Sequence, residues 1–172
     1  MNKKNFIDSV TKLNYEVMVR GFKQRDETEY VLKYRQELLP DWQENPQTII
    51  FFFFQCKSAL NGNNLQEEQI EKDRLLVKFN SLGNQFYNLS KERGILTEVI
   101  CPKTGYPQYS TKGKQIFSIQ HLVSRYLPDF TSKSKICGLI HPIWGQAVYP
   151  CIILSNSQPM EVKLIMKRLI FS

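Results

Sequence analysis

The sequence predicts an α+β fold with a mixed or antiparallel sheet and flanking helices, on three observations. The stretch 48-TIIFFFFQ-55 is apolar at successive positions, which is typical of a central strand covered on both faces. Apolar residues recur at helical spacing over 66–94, which predicts a long amphipathic helix. Two apolar strands are then predicted next to each other, at Ile136–His141 and Gln146–Leu154. Adjacent strands lying between helices indicate the α+β class.

Two elements are predicted before the central strand. Partial alternation over 14-NYEVMVRGF-22 indicates a strand. The segment Glu27–Leu39 is predicted to be helical and to end before Pro40, since its apolar residues share one face.

The long helix has signals at both ends. Acidic residues crowd its start, basic residues lie near its end, and Gly94 follows as a C-terminal cap. Its carboxylates are expected to lie at an exposed helix start. Solvent there would keep their pKa values close to normal, so they are poor candidates for acid–base catalysis.

Three further elements follow from turn and cap residues. The segment 102-PKTG-105 favours a turn, so a hairpin is predicted between 95–101 and 106–110. A short helix is predicted over Ile116–Leu127. A last helix over 157–169 has Pro159 near its first position and basic residues at its end.

Length and composition indicate one domain, residues 1–172, of an ordinary globular protein. The N-terminal residues lack the apolar core of a secretory signal. The longest apolar run, Ile49–Phe54, is far shorter than the roughly 20 residues that span a bilayer. We therefore expect a cytoplasmic protein with no membrane partner and with reduced cysteines.

The positive charge is concentrated in the C-terminal part. The net charge is +7, and residues 101–172 carry nine basic and two acidic side chains. This segment is compatible with a polyanion-binding or nucleic-acid-binding basic domain or with a soluble basic surface. An RNA-binding surface would alternate aromatic and basic residues, and the sequence shows only a weak version of this pattern, at Tyr106, Tyr109, Lys112 and Lys114. No RNA-binding motif supports nucleic acid as a partner.

Cysteine and histidine residues are the main candidates for chemistry. Phosphate-binding, hydrolase and zinc-protease motifs are absent from the sequence. On an extended strand Cys137 and His141 share a face, and lysines just upstream would favour a thiolate. The residues alone leave two interpretations: a core cysteine beside a satisfied histidine, or a reactive thiolate. Cys151 lies in an apolar strand and is expected to be structural.

Two segments resemble one known family. The first is 71-EKDRLLVKFNSLGNQFYNLSKERGILTEVICPKTGYPQYS-110, with its C-P-x-T-G turn at 101–105. The second is 137-CGLIHPIWGQAVYPCIILSNSQPMEVKLIMKRL-169, with a cysteine, an H-x-x-W-G motif (His141, Trp144, Gly145) and a final I-M-K-R-L. Over residues 48–169 the chain is similar to CblD proteins, the methylmalonic aciduria and homocystinuria type D family.

The resemblance implies a nitroreductase-like fold without flavin chemistry, and a role in cobalamin (vitamin B12) trafficking. Members are non-enzymatic adaptors that meet a CblC-like cobalamin-processing protein, and a family cysteine can ligate the cobalt of cobalamin presented by that partner. Cys137 is the candidate cobalt-ligating thiolate, with His141, Trp144 and Gly145 in the same site. His141 follows Cys137 by four positions, one fewer than expected in animal relatives, and a one-residue slip on a strand reverses the facing side. The chain resembles the bare C-terminal domain of those relatives, as expected of a bacterial-type member.

An enzymatic alternative is a nitroreductase-like flavoprotein or a cobalamin reductase. Flavin enzymes of that fold hold the cofactor phosphate with basic residues near the N-terminus. Arg20 and Arg25 are the nearest candidates, but they form no recognisable motif. We expect no bound flavin.

Overall fold

The computed structural model describes residues 9–12, 14–132 and 138–171 and has the predicted α+β architecture. Its main sheet has five antiparallel strands in the order β1-β2-β3-β7-β4. A two-stranded ribbon pairs β5 with β6. The strands are β1 Ser9–Lys12, β2 Tyr15–Gly21, β3 Thr48–Gln55, β4 Thr97–Val99, β5 Thr131–Ser132, β6 Leu139–Ile140 and β7 Val148–Ser155. The helices are α1 Tyr30–Lys33, α2 Arg35–Leu38, α3 Leu65–Glu92, α4 Ile119–Tyr126 and α5 Pro159–Phe171.

Strand β3 is the centre of the sheet and is buried on both faces, as predicted. It pairs with β2 on one side and β7 on the other, and its side chains alternate between two cores. One set packs under α3 and α5, namely Ile50, Phe52 and Phe54. The other set packs under α1, α2 and α4, namely Ile49, Phe51 and Phe53. Because each buried aromatic side chain contributes about 1.5–3 kcal/mol, this strand anchors both cores.

Helix α3 confirms the predicted long amphipathic helix. The Asn64 side chain accepts a hydrogen bond from the Glu67 N–H at 3.1 Å and so caps the start. Gly94 follows the helix with a φ of 69°, a conformation that favours glycine. The buried stripe faces the sheet through Leu75, Phe79 and Phe86.

The acidic start of α3 is less exposed than the sequence predicts. Glu68 and Glu71 are buried, because the loop over residues 57–62 folds back across the first turns of the helix. The Glu68 carboxylate accepts hydrogen bonds from the N–H groups of Asn61 and Gly62, both at 2.8 Å. Glu71 accepts one from the Lys57 N–H at 3.0 Å, and its pKa is lowered chiefly by its hydrogen bonds with Arg74. The two carboxylates therefore hold the loop over residues 57–62 against the start of α3.

The single helix predicted over Glu27–Leu39 is two short helices, α1 and α2, broken at Tyr34. The first begins only at Tyr30 because Glu29 is its cap and is buried against α4. The Glu29 carboxylate accepts hydrogen bonds from Arg125, at 2.8 Å, and from the Tyr126 hydroxyl. Tertiary contacts therefore override the local helical pattern, although the helical segment does end before Pro40.

The hairpin predicted around 102–105 forms its turn but no full second strand. Strand β4 is continued by a single bridge between Ile100 and Pro107. Helix α4 is shorter than predicted because Ser118 caps its start. Helix α5 and strand β7 agree with prediction within two residues.

The predicted strand Ile136–His141 is only partly observed. Within the described residues it contributes Leu139–Ile140 to the small ribbon with β5. Residues 133–137, and with them Cys137, lie outside the described residues. No helix among the described residues has the length and apolar character needed to cross a bilayer.

Candidate functional site

The H-x-x-W-G motif forms one closed turn after β6. The His141 N–H donates to the Gly145 carbonyl at 2.8 Å, and the Gly145 N–H donates back to the His141 carbonyl at 3.0 Å. Gly145 has a φ of 60°, in the left-handed region that L side chains rarely adopt. The backbone of this turn therefore requires glycine at the last position of the motif.

The His141 side chain holds the same turn from inside. Its Nδ1 accepts hydrogen bonds from the N–H groups of Ile143, at 3.0 Å, and Trp144, at 3.1 Å. Because Nδ1 accepts, a neutral ring carries its proton on Nε2, which lies 3.3 Å from Oε1 of Glu16 on β2. Both ring nitrogens are thus engaged by the protein.

Aromatic rings enclose His141. The Trp144 ring stacks on the imidazole with centroids 4.1 Å apart, and Phe130 meets it edge-on at 5.0 Å. His141 is only 2% exposed, whereas Ile143 at the tip of the turn is 83% exposed. His141 is therefore a positioning residue that fixes the turn, and it presents Ile143 and the edge of Trp144 outward.

Gly138 is the described residue that directly follows Cys137 in the chain. Leu139 and His141 are both buried while Ile140 is partly exposed, so the alternation predicted for this segment holds after Gly138. A Cβ at Gly138 would overlap the side-chain amide of Gln120 on α4. This close approach ties the residue that follows Cys137 to α4. Cys137 itself lies outside the described residues, so its place on the same face as His141 stays a prediction.

A cavity of about 190 Å³ borders Gly138. Its lining combines apolar residues with Lys72 and two glutamine side chains, Gln120 and Gln146. Small-molecule sites usually measure roughly 300–1,000 Å³, so this cavity is too small to enclose a corrin macrocycle. A cobalamin that reaches this edge would have to be held largely by another protein.

Two of the other cysteines are structural. Cys151 on β7 is fully buried, as predicted, and burial raises the pKa of its thiol well above the usual value. Burial also raises the pKa of the Cys56 thiol, to about 12. Neither thiol forms a thiolate readily.

Cys101 is the residue that sequence reasoning missed. It is partly buried, which by itself raises the thiol pKa. Hydrogen bonds to its sulfur from the Thr104 side chain and from the N–H groups of Thr104 and Lys103 outweigh that effect, so the net shift is downward. The C-P-x-T-G motif was a signal in the sequence for this arrangement, because it places a hydroxyl and two N–H groups within reach of the first side chain.

The residues of the two alternative functions lie in ordinary structural settings. Tyr109 stacks on Tyr87 with centroids 3.8 Å apart and donates to Asn84 at 3.0 Å. The Lys112 ammonium lies over the Tyr106 ring, 5.2 Å from its centroid.

The two arginines considered for a flavin phosphate differ in setting. Arg20 donates to the carbonyl of Val19, its neighbour in the chain. Arg25 lines an open depression of about 620 Å³ together with the acidic residues Asp26 and Glu27. Arg20 is not among the described residues that line this depression, so the structure does not bring the pair together there.

The described residues contain no group of three or more His, Cys, Asp or Glu side chains that could hold a metal ion. No protein-family model and no curated protein matches the chain. The resemblance to CblD proteins therefore depends on the two sequence segments.

Proposed function

We propose that the protein is a cobalamin-pathway adaptor that binds a CblC-like cobalamin-processing partner. In this proposal the Cys137 thiolate would ligate the cobalt of the cobalamin that the partner presents, displacing a bound water molecule, and the thiol proton would pass to solvent. The protein itself carries out no enzymatic step, and its nitroreductase-like fold carries no flavin.

The observation that carries the proposal is the closed turn after Cys137. His141, Trp144 and Gly145, the residues of the sequence resemblance, form one rigid unit tied to the sheet by Glu16. The exposed Ile143 at its tip offers an apolar contact to a partner. The small cavity beside Gly138 supports a division of labour in which the partner holds the corrin and this chain supplies a ligand.

The test is a titration of this chain into a CblC-like protein loaded with cobalamin. We expect a complex on size-exclusion chromatography and a change in the visible spectrum of the cobalamin. The variant Cys137→Ser should form the complex without the spectral change, because a hydroxyl is a poor cobalt ligand. The matched control Cys101→Ser should keep both.

Two outcomes contradict this proposal in different ways. Without a complex or any effect on cobalamin, the adaptor function fails. If Cys101→Ser abolishes the spectral change and Cys137→Ser does not, the adaptor function stands and the ligand is the other thiol. Yellow purified protein that releases flavin on denaturation would instead favour the flavoprotein alternative.

A further inference from the structure

Two neighbouring cavities lie beside Tyr149 of β7. They share two lining residues, Tyr149 itself and Lys72 of α3. The first is the cavity of about 190 Å³ beside Gly138, and the second measures about 240 Å³ and reaches Lys103 in the Cys101–Gly105 turn. Each is smaller than a usual ligand site of roughly 300–1,000 Å³, so a ligand of ordinary size would have to occupy both. We call the pair the Tyr149 cleft.

Tyr149 is nine-tenths buried, yet its hydroxyl has no hydrogen-bond partner among the described residues. Burial raises its pKa, so the hydroxyl remains a donor at ordinary pH. The hydroxyl is not among the fully buried side-chain oxygens that lack a partner, and Tyr149 lines both cavities, so the group is open to a bound acceptor. Tyr149 lines the second cavity together with Asp73, Lys72 and Lys103.

The two cavities differ in chemistry. The second is lined by two lysines, Lys72 and Lys103, and its one carboxylate among the described residues, Asp73, accepts a hydrogen bond from Gln69 at 2.8 Å. The first is largely apolar and adds only the side-chain amides of two glutamines; its apolar residues are Leu60, Leu139, Val148 and Pro150. One cavity thus suits an oxyanion, and the other suits a flat apolar ring with polar edges.

We infer that the Tyr149 cleft binds a small aromatic phosphate monoester. Its phosphate lies between Lys72 and Lys103 and accepts a hydrogen bond from the Tyr149 hydroxyl, while its ring occupies the first cavity. Three donors from three separate elements match the three terminal oxygens of a phosphate better than the two of a carboxylate. This inference is independent of the proposed adaptor function, because it needs neither cobalamin nor a partner protein.

Phenyl phosphate is the probe for the test, with binding followed by NMR titration of the backbone amides of the intact chain. We expect saturable binding with a Kd of about 1 mM or tighter, with shifts at Tyr149, Lys72 and Lys103. Tyr149→Phe keeps the ring packing and removes only the hydroxyl, so it should weaken binding by about tenfold or more. Inorganic phosphate should bind more weakly than phenyl phosphate, because it leaves the apolar cavity empty.

The contribution of positive charge to binding is tested by comparing variants of two lysines in the same helix, α3. Lys72→Gln should weaken binding, whereas Lys91→Gln makes the same change outside the cleft and should leave the Kd unchanged. The inference fails if phenyl phosphate gives no saturable shift up to about 10 mM. It also fails if Tyr149→Phe binds as tightly as the parent, if both lysine variants lose affinity equally, or if inorganic phosphate binds as tightly as phenyl phosphate.

Discussion

The turns Cys101–Gly105 and His141–Gly145 have the same local design and different surroundings. Each ends at a glycine with positive φ, 77° and 60° respectively, whose N–H donates to the carbonyl of the first residue. In each, the first side chain accepts hydrogen bonds from the N–H groups two and three positions later. The imidazole is enclosed in a core, while the sulfur is partly exposed. The same backbone arrangement therefore produces a structural anchor in one place and a polarised thiol in the other.

Removing the anchor should have the largest effect. His141→Ala leaves two N–H groups without their acceptor and empties the space against Trp144, so we expect a loss of roughly 2–4 kcal/mol in the free energy of unfolding. Urea denaturation measures it. The exposed His121 offers a matched control, and His121→Ala should change stability by less than about 0.5 kcal/mol. Equal losses in the two variants would remove the anchoring role of His141.

The two glycines separate backbone strain from crowding. At Gly145 a Cβ meets nothing within 4 Å, so Gly145→Ala should cost only the strain of positive φ, about 1 kcal/mol. At Gly105 a Cβ would lie 2.8 Å from the Phe117 carbonyl oxygen and 3.1 Å from Ile116, so Gly105→Ala should cost more, about 2–3 kcal/mol. Thermal or urea unfolding compares the pair. A larger loss at Gly145 would contradict this order.

The smallest effect concerns the reactivity of Cys101. Because its thiol pKa is lowered, its thiolate fraction should rise at a lower pH than that of an ordinary cysteine. Labelling of the native chain with iodoacetamide, followed by peptide mass spectrometry, should modify Cys101 before Cys56 and Cys151. Thr104→Val removes the hydroxyl donor and should move the labelling profile to higher pH. Slower labelling of Cys101 than of the two buried cysteines would show that the sulfur is not activated.

Sequence patterns predicted the elements whose signals are strong and local. Strand β3 was recognised because burial on both faces gives a continuous apolar run. Helix α3 was recognised because burial on one face gives apolar residues at helical spacing, with a cap at each end. The late start of α1, at Tyr30, was missed because its cap, Glu29, is held by Arg125, which is distant in sequence. Burial of Glu68 was missed because its partners are N–H groups of the preceding loop, and the direction of that loop is not specified by the sequence pattern.

The candidate site was predicted only in part. The pattern of alternation correctly placed Leu139 and His141 on one face, which the structure shows to be buried, and Cys151 was correctly placed in the core. Sequence patterns could not assign Glu16 as the partner of His141, because the two residues lie 125 positions apart. The lowered thiol pKa at Cys101 depends on the direction of individual N–H bonds, which composition and spacing do not specify.

The central position of β3 has a consequence for biosynthesis. In the finished sheet Phe52 pairs with Cys151, so its strand waits for a partner made 99 residues later. At the usual rates of translation, about 5–20 residues per second, that delay is roughly 5–20 s. During this time one side of a phenylalanine-rich strand has no neighbour, and such segments associate readily with one another. The nascent chain should therefore depend on chaperones that shield this strand until β7 emerges.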